Sequence, residues 1–107
     1  MGRVRDRATF AALAGADRHA RGPIAVRFVP GDAGAPPRVA YAVSGARNAV
    51  ARNRLRRRLR AAASRAEASF ESGGAYLVSA RREAMTMPFD ELVHTLTSLL
   101  ADVGVRR

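Results

Sequence analysis

Apolar and polar residues alternate in three short segments of the chain, at residues 24–29, 38–43 and 75–80. This period-two pattern predicts three β-strands, each with one apolar face. Between the first two segments, residues 30–37 contain three prolines and two glycines, a composition typical of a turn or flexible loop. We therefore expect the first two strands to form an antiparallel hairpin.

Helical periodicity occurs in three further segments. The first is short, running from Thr9 to Leu13 ahead of a plausible stop at Gly15. The second begins at Asn48, a favourable N-cap residue, and continues to about Ser69. Its apolar residues recur every three or four positions and form one narrow stripe, consisting of Ala51, Leu55, Leu59, Ala62 and Ala66.

A third helix is predicted after Pro88, a residue favoured at the first helical position. Its apolar positions have helical spacing and are Phe89, Leu92, Val93, Leu96, Leu99, Leu100 and Val103. Arg106 and Arg107 follow the end of this segment, where positive charge favours the helix dipole. We expect its apolar face to cover a sheet.

The order of predicted elements, α-β-β-α-β-α, indicates an α+β sandwich in which helices pack on a small sheet. A length of 107 residues favours a single domain, spanning residues 1–107. Leu, Ile, Val and Phe together number 23, and alanine alone supplies another 23 residues. The predicted core is therefore small, close to the composition at which highly charged chains remain disordered.

Charge dominates the composition. The chain carries 19 basic residues, all arginine, against nine acidic residues, which gives a formal net charge of +10. This balance indicates a protein that binds a polyanion. The chain has no cysteine, which excludes disulfide scaffolds, thiol catalysis and Cys-ligated metals. It has neither an apolar run long enough to span a bilayer nor a secretory signal, so we expect a soluble, cytoplasmic protein without membrane partners.

Eight of the arginines lie between residues 47 and 65, on and around the second predicted helix. On a helical wheel, Asn53 and Arg57 lie on the polar face opposite the apolar stripe. The two flanks consist of Arg54, Arg58 and Arg65 on one side and of Arg52, Arg56 and Arg60 on the other. Repulsion among these side chains opposes helix formation, so we interpret the helix as a polyanion-binding element.

The segment Arg52–Arg60 resembles the Arg-Asn-Arg signature of the bacterial ribonuclease P protein subunit. Residues 49–51 are similar to the small apolar residues that precede the signature in this family, and residues 39–44 to the preceding strand. Residues 7–10, 76–81 and the last predicted helix follow in the family's order, so the resemblance covers nearly the whole chain.

The resemblance implies a protein subunit of an RNA-based endonuclease, which removes the 5′ leader from precursor tRNA. Its partners would be the large catalytic RNA and precursor tRNA, with no obligatory protein partner. Magnesium would be bound through the RNA, with no metal, cofactor or catalytic residue on this chain. The resemblance also implies a mixed sheet, an extra short strand and a left-handed crossover around the arginine-rich helix.

Two sets of binding residues follow from these considerations. The residues expected to bind the catalytic RNA are Arg47, Arg52, Asn53, Arg54, Arg56, Arg57, Arg58, Arg60 and Arg65. The residues expected to line a cleft for the precursor-tRNA leader, between the sheet and the first helix, are Phe10, Arg27, Phe28 and Tyr41. A single-stranded ligand needs stacking surfaces beside a cationic path, although strand alternation makes Phe28 and Tyr41 at least as suitable for the core.

Two other functions are also compatible with the sequence. A ribosomal or other structural RNA-binding protein can carry a similar basic helix, and a DNA-binding protein can insert one into a major groove. Protein-borne nuclease chemistry is disfavoured by the residues themselves. His19 is predicted in a loop, His94 on the solvent side of the last helix, and Glu67 and Glu71 on a helix surface, so these groups suggest no metal site.

Overall fold

The computed structural model of the chain describes residues 1–105, so Arg106 and Arg107 lie outside the described part. Its strands are β1 (Gly2–Arg3), β2 (His19–Arg21), β3 (Ile24–Val29), β4 (Arg38–Ser44) and β5 (Ala75–Arg81). Its α-helices are α1 (Arg7–Ala14), α2 (Ala49–Arg65) and α3 (Phe89–Val105), with short 3₁₀ helices at Glu67–Ser69 and Arg82–Met85. The predicted α+β class and the relative order of the main elements are confirmed.

The five strands form one mixed sheet in the order β1-β4-β5-β3-β2. β5 runs parallel to β4 and antiparallel to β3, while β1 is parallel to β4 and β2 antiparallel to β3. The two edge strands have only two and three residues. Such short segments show no readable alternation, so the sequence pattern missed both β1 and β2, and His19 lies in a strand rather than in a loop.

The predicted hairpin between residues 24–29 and 38–43 is wrong, because β5 lies between β3 and β4. Most of the β5 side chains are buried, on both faces of the sheet, and a strand of that kind gains most from a central position. The eight residues of the loop 30–37 can bridge the roughly 10 Å between strands separated by one neighbour. Alternation predicted which side chains share a face, but it carries no information on which strands are neighbours.

The core occupies the face of the sheet covered by α2 and α3. Ile24, Val26 and Val78 of the sheet are fully buried there, in one cluster with Leu55 and Leu59 of α2. The apolar residues predicted for the last helix confirm its orientation, with Leu92, Leu96, Leu99, Leu100 and Val103 all buried. Among the described residues, a second small cluster on the opposite face joins Leu13 of α1 to Val4 and Ala75.

The arginine-rich helix begins where the sequence predicts. The Asn48 side-chain oxygen accepts a hydrogen bond from the Ala51 backbone N–H at 2.9 Å, as an N-cap does. The α-helix ends at Arg65, earlier than the predicted Ser69, and Glu67–Ser69 form a 3₁₀ turn. α2 connects the neighbouring parallel strands β4 and β5, so it forms a crossover between them, while the left-handed sense that the family resemblance implies stays a prediction.

Candidate nucleic-acid interface

The apolar stripe of α2 fixes the helix to the molecule and turns its polar side outward. Leu55, Leu59, Ala62 and Ala66 are buried, as the spacing predicts, while Ala51 is half-buried. The polar and basic residues that remain exposed on the helix are Arg52, Asn53, Arg54, Arg57, Arg60, Ser64 and Arg65. A helix held in this way presents guanidinium groups in a fixed arrangement, which suits bidentate contacts with phosphates.

Carboxylates within the described chain do not neutralise this surface. Among residues 1–105, the arginines that form ion pairs with a carboxylate all lie outside α2: they are Arg21, Arg38, Arg81 and Arg82. Within α2, the Arg56 Nη1 donates to the Asn53 side-chain oxygen at 3.3 Å, so an amide rather than an acid orients this guanidinium. The positive charge of the helix stays available to a ligand.

Arg58 differs from the other arginines predicted to bind RNA. It is half-buried, its Nε donates to the Ala84 carbonyl oxygen at 3.2 Å, and its Nη2 donates to the Met87 carbonyl oxygen. The guanidinium also lies 5.8 Å from the centre of the Phe89 ring. Arg58 therefore ties α2 to the connection that precedes α3, and the flank that it shares with Arg54 and Arg65 is partly a packing surface.

A groove of about 850 Å³ runs along the β1–β4 edge of the sheet, between α1 and α2. It brings together Phe10 and Tyr41 of the predicted leader set and Arg56 and Arg60 of the predicted RNA-binding set. Phe10 is 44% exposed, whereas Leu13 one turn later is completely buried. Phe10 is therefore free to offer a stacking surface beside cationic side chains.

Tyr41 forms part of the groove wall beneath Arg60, whose guanidinium carbon lies 5.5 Å from the ring centre. Burial raises the pKa of the Tyr41 hydroxyl above its ordinary value of 10.0, and the nearby charge of Arg60 opposes this shift. The hydroxyl therefore stays protonated at neutral pH. A protonated phenol can donate a hydrogen bond, and its ring can stack on a planar cation.

The structure separates Phe28 and Arg27 from this groove. Phe28 and Tyr41 both lie on the core face of the sheet, but Phe28 is on β3, two strands away from β4. Its ring centre lies 4.8 Å from that of Tyr76, and it does not line the edge groove. Arg27 lies on the α1 side, where its Nη1 donates to the carbonyl oxygens of Ala14 at 2.9 Å and Ala16 at 2.7 Å. Its guanidinium satisfies the carboxyl end of α1, a use that alternation within one strand does not reveal.

The remaining predicted residue, Arg47, is exposed immediately before the N-cap of α2. Two groups that the sequence pattern did not single out also lie close to the basic surface. Arg3 lines the edge groove, because the short strand β1 carries it there. Val50 is 66% exposed and lies beside Asn53 and the arginines of α2. Only its position opposite the buried stripe on a helical wheel could have signalled this exposure.

Neither a metal-binding cluster nor a membrane-spanning helix is found in the described part of the chain. Within residues 1–105, no three His, Asp or Glu side chains come together in an arrangement suited to a metal ion. His94 is exposed on α3, as predicted. Over the same residues, no helix has the length and apolar character needed to traverse a bilayer.

Comparison with known proteins gives a consistent result. A family model described as Ribonuclease P matches residues 2–104. The structure is similar to that of the RNase P protein from Staphylococcus aureus, with a TM-score of 0.77 and 21% identity over 96% of this chain and 95% of that chain. It is equally similar to the RNase P protein from Thermotoga maritima, with a TM-score of 0.77 and 22% identity over 94% of this chain and 96% of that chain.

At these identities the two solved structures show a common fold, whereas the family model spans nearly the entire sequence. Three features indicate the same family: the arginine-rich helix, its position in the chain between the parallel strands β4 and β5, and the match of the family model to residues 2–104. The chain belongs to the ribonuclease P protein family and is a protein subunit of the enzyme that processes the 5′ end of tRNA.

Proposed function

We propose that the chain binds the large catalytic RNA of ribonuclease P through the exposed side of α2, and that catalysis and magnesium binding reside on that RNA. One observation carries the proposal: a helix anchored by Leu55 and Leu59 presents a dense set of exposed arginines that form no ion pair with a carboxylate of residues 1–105. Phosphates of a folded RNA supply the missing negative charge, and their binding releases counterions from the RNA.

The edge groove is the proposed path of the precursor-tRNA leader. Phe10 and Tyr41 supply aromatic surfaces, and Arg56 and Arg60 join the groove to the basic side of α2. A single-stranded RNA that leaves the catalytic RNA can then pass from the basic side of α2 to Phe10 of α1 along this groove, where the carboxylate of Glu67 is paired with the Met1 amine. Arg27 and Phe28 are not part of this path.

Reconstitution tests the main proposal. The catalytic RNA of the same organism is assayed for precursor-tRNA cleavage at a magnesium concentration too low for the RNA alone, with and without the protein. We expect the wild-type chain to restore cleavage and the Arg52→Ala/Arg57→Ala variant, altered at two exposed positions, to require a much higher protein concentration. Cleavage by the protein without the RNA would overturn the assignment of catalysis, and equal activity of the two proteins would overturn the assignment of α2.

Binding of two tRNA ligands tests the leader path. Phe10→Ala should weaken the affinity of the holoenzyme for precursor tRNA by about 1–3 kcal/mol, the contribution of one stacked base, while affinity for mature tRNA stays unchanged. Circular dichroism of Phe10→Ala is the control for folding. Its spectrum should match that of the wild type, because the exposed Phe10 side chain contributes little to the core. If both ligands weaken equally, the leader does not contact Phe10.

A further inference from the structure

Val50 is an aliphatic side chain in the first turn of α2, at the N-terminal end of the basic surface of this helix. It is 66% exposed, more than any other large hydrophobic residue whose side chain the structure describes, within residues 1–104. It precedes the buried Leu55 by five positions, which at about 100° per residue places it roughly 140° away on the helix. The core therefore does not account for Val50, since the side chain lies on the side of α2 that faces solvent.

The surroundings of Val50 form a shallow open groove of about 550 Å³, lined by Asn53, Arg56, Arg57 and Arg60. The Asn53 oxygen accepts a hydrogen bond from Arg56, which leaves the Asn53 amide hydrogens free to donate to a ligand. The groove thus combines an apolar methyl surface, one amide donor and three guanidinium groups.

Resting on the proposed function, we infer that this groove holds an unpaired nucleotide of the catalytic RNA, with its base or ribose against the Val50 methyl groups. A bare phosphate gains nothing from an aliphatic neighbour, and a regular duplex presents its phosphates while it keeps base faces stacked. A splayed-out nucleotide has an apolar face for Val50, phosphates on either side for the arginines, and an acceptor edge for Asn53. Recognition of RNA commonly uses such unstacked bases.

Salt dependence separates this apolar contact from the phosphate contacts around it. Loss of a phosphate-binding arginine reduces the slope of log Kd against log salt by about one, because one fewer counterion is released. Loss of an apolar contact weakens binding by the same factor at every salt concentration and leaves the slope unchanged. Val50→Ala removes the outer methyl groups and keeps a strong helix former, so the fold is preserved.

The experiment measures Kd for the transcribed catalytic RNA over a range of KCl concentrations, for the wild-type chain, Val50→Ala, Val50→Ile and Arg57→Ala. We expect Val50→Ala to bind about three- to tenfold more weakly with an unchanged slope, as for one or two lost apolar carbons. Val50→Ile, which retains the apolar contact, should bind at least as tightly as the wild type. Arg57→Ala should bind more weakly with a reduced slope.

Unchanged affinity of Val50→Ala with weakened Arg57→Ala would overturn this inference and leave the proposed function intact. Unchanged affinity of both variants would overturn the two together. The absence of cysteine in the chain permits a direct second measurement. A photo-cross-linker attached through Val50→Cys should react with an unpaired nucleotide of the catalytic RNA, and reaction confined to base-paired nucleotides would overturn the inference.

Discussion

Arginines within the single segment Arg52–Arg60 have different roles in this molecule. Arg54 and Arg57 extend into solvent, Arg60 lies over the ring of Tyr41, and Arg58 donates to the carbonyl groups of Ala84 and Met87. The guanidinium group serves both purposes because it has five donors on one plane and remains charged. A residue in the basic signature is therefore assigned to RNA binding only after its own contacts within the protein are known.

Alanine substitution at Arg58 and Arg54 should separate folding from RNA binding. Arg58→Ala removes two hydrogen bonds of a half-buried charged group, which should lower stability by about 1–2 kcal/mol and the Tm by roughly 5–10 °C without RNA. Arg54→Ala, at an exposed position one turn earlier, should change the stability by less than about 0.5 kcal/mol and should weaken RNA binding. Thermal melts monitored by circular dichroism test the two predicted changes in stability. Equal Tm values for Arg58→Ala and Arg54→Ala would show that the Arg58 contacts do not stabilise the fold.

Individual elements are held in place by their ends as much as by their faces. α1 has only eight residues and one buried side chain, Leu13. Its first turn is capped by the Asp6 carboxylate, which accepts hydrogen bonds from the Thr9 hydroxyl at 2.6 Å and the Thr9 backbone N–H at 2.9 Å. Arg27 of β3 donates hydrogen bonds to the carbonyl oxygen of its last residue, Ala14, and to that of Ala16 just beyond the helix. These end contacts determine where Phe10 stands relative to the edge groove.

The cap of α1 should make stability sensitive to acid. Hydrogen bonds from the side chain and backbone of Thr9 hold the pKa of Asp6 below its ordinary value of 3.8, with a smaller contribution from Arg38. A lowered pKa in the folded state means that the stabilisation is present above about pH 3.8 and is lost as the pH falls through the folded-state pKa.

Asp6→Asn tests this linkage, because asparagine is an equally good N-cap but does not titrate. The free energy of unfolding is measured in urea from pH 6 to pH 2. At pH 6 it should be larger for the wild type than for Asp6→Asn, and this difference between the two proteins should shrink as the pH falls. A difference that is constant over this range would show that the charge of Asp6 does not contribute.

At the scale of the whole molecule, a small core supports a large net charge. The chain carries a formal charge of +10 on 107 residues, and the buried side chains include many alanines, such as Ala62, Ala63 and Ala80. Repulsion between like charges opposes the compact state, and the exposed arginines are most concentrated along α2. An anion that binds this surface therefore favours folding, since the unfolded chain spreads the same charges apart.

Sulfate should stabilise the fold more than chloride at equal ionic strength. A ligand that binds only the folded state contributes about 2.7 kcal/mol at a hundredfold excess over its Kd, in addition to simple screening. Thermal melts with millimolar sulfate, with ionic strength held constant by NaCl, should show a rising Tm that saturates. The Arg52→Ala/Arg57→Ala variant should respond less. Identical responses to the two anions would show that no anion site is coupled to folding.

Local patterns in the sequence determined the parts of this protein that depend on neighbouring residues. The buried stripe at Leu55 and Leu59 and the apolar face of α3 follow from helical periodicity, because side chains three or four positions apart lie on the same side of a helix. The Asn48 cap follows from the ability of its side chain to accept a hydrogen bond from a backbone N–H of the first turn. The most specific part of the family resemblance is likewise a contiguous segment, Arg52–Arg60. The basic character of the interface is therefore a property of the local sequence.

Only the tertiary structure decided which distant segments meet. It placed β5 between β3 and β4 and gathered Phe10 and Tyr41 into one groove. It also placed Phe28 in the core and gave Arg58 backbone partners that lie 26 and 29 residues further along the chain. Alternation assigns each side chain to one of two faces of a strand, but partners across the sheet are chosen by the burial that all strands and helices achieve together. That choice is a property of the whole packed molecule, so no local pattern contains it.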